Sequence, residues 1–322
     1  MTPELSLEIL RCPSCLRHGG QLDSEGSSYK CRDCGTSFGE DRGVTNFLSG
    51  QEAQDVREAF SEQWAYRELG RFESKSRNYF YLIEESINQV ISLLKLSPKE
   101  SGKLLDAGCG SGDKAIELAK RLPHCQIVAM DFSSSVWTIK RRTEEIENFS
   151  VLRGDVFRPP FSAKVFDHVF SFGVLHHTAS TSRAFDAIAP LVKPGGSLTV
   201  MIYPTWRNSG FMLGATYFVR DLIFFGQGHR LPATLRLFLL RLLCLPLCLS
   251  KPALSFFKIV PKRYAKMSYL DFYHGWVFSF FDSLAPRYQW RHSASEVSAW
   301  FTKNGFHEPQ IPLPGVYHAI RQ

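Results

Sequence analysis

A glycine-rich turn constrains the fold of this chain more than any other feature. An apolar run with β character at residues 104–105 leads into Asp106, and residues 115–119 just downstream have helical character. Three glycines stand between them at alternate positions: Gly108, Gly110 and Gly112. A strand that passes through a glycine turn into a helix is the nucleotide-binding corner of a doubly wound α/β sheet, because glycine lets the backbone approach a ligand closely. The spacing differs from the Gly-x-Gly-x-x-Gly of dinucleotide-binding proteins.

Four later segments continue this pattern in chain order. Residues 127–130 predict a second strand that ends in Asp131. This acid follows the glycines by about 20 residues, where a carboxylate can accept hydrogen bonds from both hydroxyls of a ribose. The other segments each read as a strand with an adjoining turn: 152–156, 166–177 and 191–203. Together with the glycine turn they resemble, in order, the motifs of the class I S-adenosylmethionine-dependent methyltransferases.

The resemblance implies an α/β fold with a doubly wound, mostly parallel, seven-stranded sheet of the Rossmann-like type. It implies S-adenosylmethionine as the cofactor, with Asp155 capping the amino group of the adenine. It also implies in-line displacement of the methyl group onto an acceptor. The implied cofactor-binding residues are Asp106, Gly108, Gly110, Gly112, Asp131, Phe132, Asp155, Val156 and Ser171.

Two Cys-x-x-Cys pairs near the N-terminus form a second pattern. Cys12 and Cys15 are separated from Cys31 and Cys34 by residues 16–30, which is the spacing of a structural zinc site with four cysteine ligands. Two disulfides fit less well, because the first ten residues show no signal peptide and we expect a cytoplasmic protein with reduced thiols. Residues 7–48 resemble the small zinc-ribbon proteins that activate tRNA, rRNA and release-factor methyltransferases in trans.

The length of 322 residues and a hydrophobic content of 44% allow one enzyme domain plus an appendage. We predict a zinc ribbon over 1–50, a helical cap over 51–100 with helices at 51–69 and 77–96, and a methyltransferase domain over 101–322. Near the C-terminus, Ser293 and Glu296 form a capping box ahead of a helix at 297–303, followed by Asn304-Gly305. Two edge strands are predicted last, at 306–311 and 316–320.

Positive charge is concentrated in an insert at residues 206–270. The insert has ten Lys and Arg and one acid, Asp221, hence a net charge of +9, whereas the whole chain carries +7. The chain is therefore not a uniformly basic nucleic-acid-binding protein. Residues 231–249 are rich in leucine, but no uncharged apolar run is long enough to span a membrane. Two interpretations stay open: a helical lid over the active site, or an apolar and basic surface in the headgroup layer of an anionic membrane.

His176 and His177 are the candidate catalytic residues. They follow the fourth predicted strand, at the edge of the sheet where the active site is expected, and a histidine can act as a base near neutral pH. The alternative is that they only shape the loop. Weaker candidates are Tyr203, Tyr273, His274 and His292.

The sequence favours a small-molecule or lipid-like acceptor over nucleic acid. Residues 171–174 read Ser-Phe-Gly-Val, where enzymes that methylate base or amide nitrogens usually carry Asn/Asp-Pro-Pro-Tyr/Phe. No cysteine stands there to act as the nucleophile of a 5-methylpyrimidine enzyme. The alternative is an rRNA or tRNA methyltransferase, in which the predicted zinc ribbon would bind the substrate. A catalytically silent binding partner is disfavoured, because the glycines and the three acids Asp106, Asp131 and Asp155 are all present.

Overall fold

The computed structural model describes residues 7–15, 20–48, 61, 88, 91–92, 96–97, 99–205, 231–251, 268–284 and 286–322. Its contacts divide the chain into two units, which we treat separately. The first comprises residues 1–54, 86–205 and 290–322, and the second comprises 55–85 and 206–289. The predicted helices over 51–69 and 77–96 lie outside the described residues, apart from a few isolated positions.

A mixed, mostly parallel sheet with helices forms the centre of the first unit, as predicted. Its parallel strands are β6 (Gly102–Ala107), β7 (Cys125–Asp131), β8 (Phe149–Arg153), β9 (Phe166–Phe172) and β10 (Val192–Met201). These strands are apolar along most of their length because helices cover both faces of such a sheet. The connecting helices are α1 (Asp113–Arg121), α2 (Ser135–Arg142) and α3 (Thr181–Ile188), with short 3₁₀ turns at Leu175–His177 and Ala189–Leu191.

Helix α1 shows how the sequence fixes these connections. Its buried face is apolar and consists of Ala115, Ile116, Leu118 and Ala119. Asp113 lies in its first turn and Lys120 and Arg121 lie in its last turn, so its charges oppose the helix dipole at both ends. The helix therefore packs on the sheet with its amino end at the glycine turn.

The described part of the sheet has nine strands rather than the predicted seven. Their order is β11 (Gln310–Leu313), β12 (Val316–Ile320), β10, β9, β6, β7, β8, β5 (Val44–Asn46) and β4 (Glu40–Asp41). The difference arises at the N-terminal side, where β5 (Val44–Asn46) pairs in parallel with β8 and β4 (Glu40–Asp41) pairs with β5. Two- and three-residue strands carry almost no periodic signal of their own. They form here because the edge of β8 offers unpaired backbone groups.

Residues 7–47 continue into the core of the same unit. Strands β1 (Leu22–Glu25), β2 (Ser28–Cys31) and β3 (Ser37–Phe38) form a small antiparallel sheet. Its buried side chains join one hydrophobic cluster with Phe161 and with Phe166 of β9. The amide of Arg11 donates to the carbonyl of Pro160 at 3.0 Å, and the amide of Ser162 donates to the carbonyl of Ile9 at 2.7 Å.

The C-terminal prediction is confirmed in its main features. Helix α6 (Ala294–Lys303) is capped by Ser293, whose hydroxyl accepts from the amide of Glu296 at 3.2 Å. The chain leaves the helix through Gly305 at φ 79°. A hairpin of β11 (Gln310–Leu313) and β12 (Val316–Ile320) follows, so the first of these strands begins later than predicted, and β12 pairs with β10.

The second unit is described mainly through a pair of helices, α4 (Ala233–Leu249) and α5 (Tyr269–Leu284). The hydroxyl of Tyr273 on α5 donates to the carbonyl of Arg241 on α4 at 3.0 Å, and the thiol of Cys248 lies 3.3 Å from the carbonyl of Tyr269. Helix α4 covers most of the leucine-rich segment at 231–249. A search of the described residues finds no helix with the length and apolar character that crossing a membrane requires.

Candidate functional site

The predicted cofactor residues meet at the carboxyl edge of the parallel strands. Asp106 lies near the end of β6, Asp131 ends β7, and Asp155 follows β8 after a two-residue step. Ligands of open α/β sheets bind outside this edge, where the order of the strands reverses. The reversal falls between β6 and β9, which are neighbours in the sheet although two strands, β7 and β8, lie between them in the chain.

The glycine turn has a shape that other residues would not adopt. All three glycines have positive φ, with 89° at Gly108 and 74° at Gly112. A Cβ at Gly108 would lie 2.5 Å from the side chain of Val174, and one at Gly112 would lie 2.7 Å from Ile139. The backbone of the turn therefore packs closely against α2 and against the loop that follows β9. The amides of Gly108 and Gly112 donate within the protein, to the carbonyls of Met130 and Cys109 at 2.7 and 2.9 Å.

The carboxylate of Asp131 organises this turn. Oδ2 accepts from the amide of Gly110 at 2.8 Å, and Oδ1 accepts from the amide of Ser133 at 2.8 Å. An ionised carboxylate has about four acceptor positions, and these two amides occupy two of them. Burial raises the pKa of Asp131, while the hydrogen bonds from Ser133 and Gly110 oppose that rise.

Asp106 lies beside this acid and is only 3% exposed. Burial raises its pKa to about 7, and the negative charge of Asp131 adds to the effect, whereas Lys114 opposes it. The ammonium of Lys114 lies 5.5 Å from the ring centroid of Phe172. Two buried carboxyl groups at one edge repel each other, so a cation bound here would be stabilised by both.

The other predicted cofactor residues occupy different positions along the same edge. Oδ1 of Asp155 accepts from the amide of Phe157 at 2.9 Å, and Val156 beside it is buried. The carbonyl of Phe132 accepts from Nε of Arg153 at 3.1 Å. Ser171 is fully buried and donates to the carbonyl of Ala107 at 2.7 Å. Its hydroxyl therefore ties β9 to the end of β6, and its cofactor role remains a prediction.

The two candidate catalytic histidines lie in the 3₁₀ turn after β9, and both are buried. The ring of His176 stacks on Tyr203 with centroids 3.8 Å apart, and it lies 4.2 Å from the ring of His177. Among the described residues, neither ring nitrogen of His176 has a hydrogen-bond partner. Burial lowers the pKa of His176 well below its usual value, and the charges of His177, His292 and Arg291 lower it further.

His292 and Tyr203, two of the weaker candidates, join this cluster through the backbone and through side chains. The amide of His292 donates to the carbonyl of Tyr203 at 3.0 Å. The ring of His292 lies between Oγ1 of Thr181 and Oε1 of Glu296, each at 2.9 Å. Tyr273 and His274, the other weaker candidates, belong to α5 of the second unit.

Sequence reasoning missed two groups that support the cofactor edge. Arg142 donates to the carbonyl of Ser111 at 2.9 Å and pairs with Asp113, so it holds the glycine turn from α2. Trp137 lies between two guanidinium groups, with Arg42 at 4.6 Å and Arg153 at 4.8 Å from the indole. Neither group has a local sequence signal, because each depends on contacts between distant segments.

The four cysteines of the N-terminal pattern converge on one point. Their Sγ atoms all lie within 4.8 Å of one another, with 3.8 Å between Cys12 and Cys34 and 3.3 Å between Cys15 and Cys31. All are free thiols, so the disulfide alternative is not formed. A tetrahedral zinc with bonds of about 2.3 Å would require sulfur atoms about 3.8 Å apart. Hydrogen bonds from Thr36 lower the pKa of Cys34 to about 6, which favours the thiolate that a metal binds.

Comparison with known proteins finds a match for part of the chain. Residues 105–200 match the family model described as a methyltransferase domain. The comparisons support an S-adenosylmethionine-dependent methyltransferase. The matched segment contains every predicted cofactor residue and both catalytic candidates.

Similar curated proteins match the same part of the chain. The demethylmenaquinone methyltransferase of Thermus thermophilus is 32% identical over 137 residues, which is 41% of this chain and 60% of that protein. A ubiquinone/menaquinone biosynthesis C-methyltransferase of Dinoroseobacter shibae is 32% identical over 123 residues, 36% of this chain and 48% of that protein. The chain spans about half the length of the curated relatives it matches.

A solved structure supports the fold over a longer stretch. Magnesium protoporphyrin IX methyltransferase from Synechocystis, determined with bound S-adenosylhomocysteine, superimposes with a TM-score of 0.51 and 14% identity. The match covers 84% of this chain and 100% of that one. At this identity the likeness shows the fold alone.

Proposed function

We propose that the chain transfers a methyl group from S-adenosylmethionine to a small-molecule or lipid-like acceptor. The observation that carries the proposal is the arrangement of Asp131 and the glycine turn within the matched methyltransferase segment. The turn takes a positive-φ, closely packed backbone path that its glycines allow, and the buried carboxylate of Asp131 at the end of β7 would accept hydrogen bonds from the ribose hydroxyls. Asp106 would lie where a cationic ligand is stabilised.

The names of the relatives support the acceptor class. Two of them are described as methyltransferases of menaquinone or ubiquinone biosynthesis, so their acceptors are quinone-type small molecules. For this chain, a quinone-like or other amphiphilic acceptor agrees with the leucine-rich insert at 206–270. An RNA acceptor receives no comparable support from these relatives.

The chain's own residues would position the acceptor and take up its proton. S-adenosylmethionine, when bound, supplies a methyl group on a sulfonium and therefore already activated. The acceptor atom must lie in line with that group at about 3 Å, and water must be excluded. We propose His176 or His177 as the base for an acidic acceptor. His176 stays neutral near pH 7 because its pKa is lowered, so it can accept a proton, although only from a group more acidic than an ordinary alcohol.

We further propose that the four cysteines hold one structural zinc ion and that residues 1–50 form a zinc ribbon. The support is the close approach of the four sulfur atoms and the Cys-x-x-Cys spacing. Cys12 and Cys31 are buried, while Cys34 is exposed, so the metal would lie near the surface of the first unit. Its role there would be structural, since all four positions would be filled by the protein.

The segment 206–270 is proposed to make a peripheral membrane contact, with nucleic acid the weaker candidate partner. Its net charge of +9 supports attraction to an anionic surface. This contact would place the enzyme at the membrane, in which a lipid-like acceptor dissolves.

Calorimetry and an activity assay test the proposed function together. Purified full-length protein should bind S-adenosylhomocysteine with one site per chain. It should also transfer label from methyl-labelled S-adenosylmethionine to a reduced naphthoquinone in detergent more readily than to a short RNA. Absence of cofactor binding would overturn the methyltransferase proposal. Binding with transfer only to RNA would overturn the acceptor class while retaining the activity.

A further inference from the structure

One face of helix α4 is apolar and exposed along its whole length. Five large apolar side chains recur along it at spacings of three and four residues, which places them on one stripe of the helix. We call them the α4 stripe: Leu235, Phe238, Leu242, Leu245 and Leu249. Their exposed fractions are 43%, 58%, 50%, 48% and 74% respectively. Isolated exposed leucines are common on proteins, whereas a continuous stripe of this kind marks a contact surface.

The opposite face of the same helix already has its partner. Leu237, Leu240 and Cys244 are buried, and α4 packs along α5 on that side. The helix is therefore anchored in the second unit through one face and does not need the α4 stripe for its own core. Tyr269 and Leu270 at the start of α5 are also exposed and extend the apolar surface.

Charge distinguishes among the surfaces that could cover the α4 stripe. The described helix and its flanks at 231–251 contain no acidic residue, and the surrounding segment carries a net charge of +9. Lys251 follows the last turn of α4, and its ammonium lies 5.0 Å from the ring centroid of Tyr269. Lys251 itself is buried, whereas Tyr269 is 54% exposed, and exposed tyrosines are enriched at membrane–water interfaces.

Two other partners fit less well. A second copy of the chain would bring another +9 segment against the first, and Pro246 within the helix interrupts a regular coiled-coil seam. A nucleic acid would need Lys or Arg side chains at its phosphates, whereas the α4 stripe presents only hydrocarbon.

We propose that the α4 stripe is the surface through which the chain docks on an anionic phospholipid bilayer, with α4 lying in the plane of the interface. The stripe residues would enter the boundary between headgroups and acyl chains, while the basic residues of 206–270 contact the headgroups. This inference rests on the peripheral contact proposed above and assigns it to one helix face. It implies that the acceptor reaches the enzyme from the membrane phase.

Vesicle flotation with the full-length protein tests the proposal. The protein should float with vesicles of phosphatidylglycerol and phosphatidylcholine, and much less of it should float with vesicles of phosphatidylcholine alone. Part of the binding should persist at high salt, because salt screens charge interactions but not the burial of apolar side chains. Phe238→Glu with Leu242→Glu should weaken binding on the order of 10–100-fold, since two half-exposed apolar side chains no longer enter the interface. The matched control is Ile311→Glu with Leu313→Glu, which adds the same charge at exposed apolar positions of β11 and should bind as wild type.

A tryptophan substitution locates the contact directly. In Phe238→Trp the emission should shift to the blue on vesicles and be quenched by brominated acyl chains beyond the level of the wild-type protein. Binding that is equal in wild type and the double Glu variant would overturn the assignment to the α4 stripe. A wild-type dimer that the double Glu variant dissociates would also overturn it, in favour of a second copy. Affinity for S-adenosylhomocysteine, measured on the same samples, reports separately on the methyltransferase proposal.

Discussion

Replacing Asp131 by asparagine should weaken cofactor binding more than it lowers the folding free energy. In the free protein its two oxygens accept one amide each, from Gly110 and Ser133, both at 2.8 Å. Asparagine keeps one oxygen and replaces the other by an NH₂ group, which cannot accept. One of these two amides therefore loses its partner, and the charge-assisted bonds to the ribose become neutral or disappear.

The expected magnitude follows from these bonds. Hydrogen bonds to charged groups contribute about 1.5–3 kcal/mol, so the cofactor should bind roughly 10–150-fold more weakly. The orphaned amide costs about 1–3 kcal/mol of folding free energy. Removing a buried charge beside Asp106 offsets part of that cost, because burial already raises the pKa of both acids. The loss in affinity should therefore exceed the loss in stability.

Asp167→Asn is the matched control. Asp167 lies near the amino end of β9, at the edge of the parallel sheet opposite to Asp131. Its carboxylate accepts from the amide of Lys103 at 2.8 Å and from Nζ of Lys193 at 2.8 and 2.9 Å. Its removal should lower the melting temperature without changing cofactor affinity. Calorimetric titration with S-adenosylhomocysteine and thermal unfolding measure the two quantities. Wild-type affinity in Asp131→Asn, or an equal loss in Asp167→Asn, would refute the assignment of the ribose site.

Three further predictions concern the same unit. The pKa of Asp106 is about 7 in the free protein, so its carboxyl group is mostly ionised at pH 8 and mostly neutral at pH 6. A cationic cofactor should therefore bind up to about tenfold more tightly at pH 8 than at pH 6. Asp106→Asn should remove this pH dependence, as measured by titration calorimetry. Gly108→Ala should abolish cofactor binding, since its Cβ would lie 2.5 Å from Val174, and Val174→Ala in the same chain should restore part of the stability lost in thermal unfolding. Cys31→Ser should eliminate the zinc found by elemental analysis. It should also lower the melting temperature of the whole first unit rather than of a separate ribbon, because Cys12 and Cys31 belong to the core of that unit. An unchanged unfolding transition would contradict that coupling.

The placement of the predicted cofactor residues at one edge of the sheet could be read from sequence because its constraints are local. The glycines at 108 and 112 occupy positive φ within one turn, and the acid that ends β7 directly follows a buried strand. The N-cap at Ser293 is likewise decided by residues a few positions apart. Local chemistry of this kind leaves a pattern that a single sequence displays.

Features that depend on distant segments could not be read in the same way. Glu40-Asp41 has low β propensity and becomes a strand only through β5 and the edge of β8. The indole of Trp137 is enclosed by guanidinium groups from residues 42 and 153, which no spacing rule connects. The sequence positions His176 after β9, but its burial against Tyr203 depends on where β10 ends.

The choice of acceptor must be made largely outside the segment shared with the relatives. Every predicted cofactor residue lies within the matched residues 105–200, so that match can be retained by proteins with different acceptors. The contacts that surround His176 come partly from beyond it: Tyr203 stacks on its ring, and the amide of Trp290 donates to its carbonyl at 2.9 Å. His292 also lies outside the matched segment, and its ring forms hydrogen bonds with Thr181 and Glu296. Substitutions at Tyr203 and His292 should therefore change which acceptors are methylated while leaving cofactor affinity intact, whereas those at Asp131 should do the reverse.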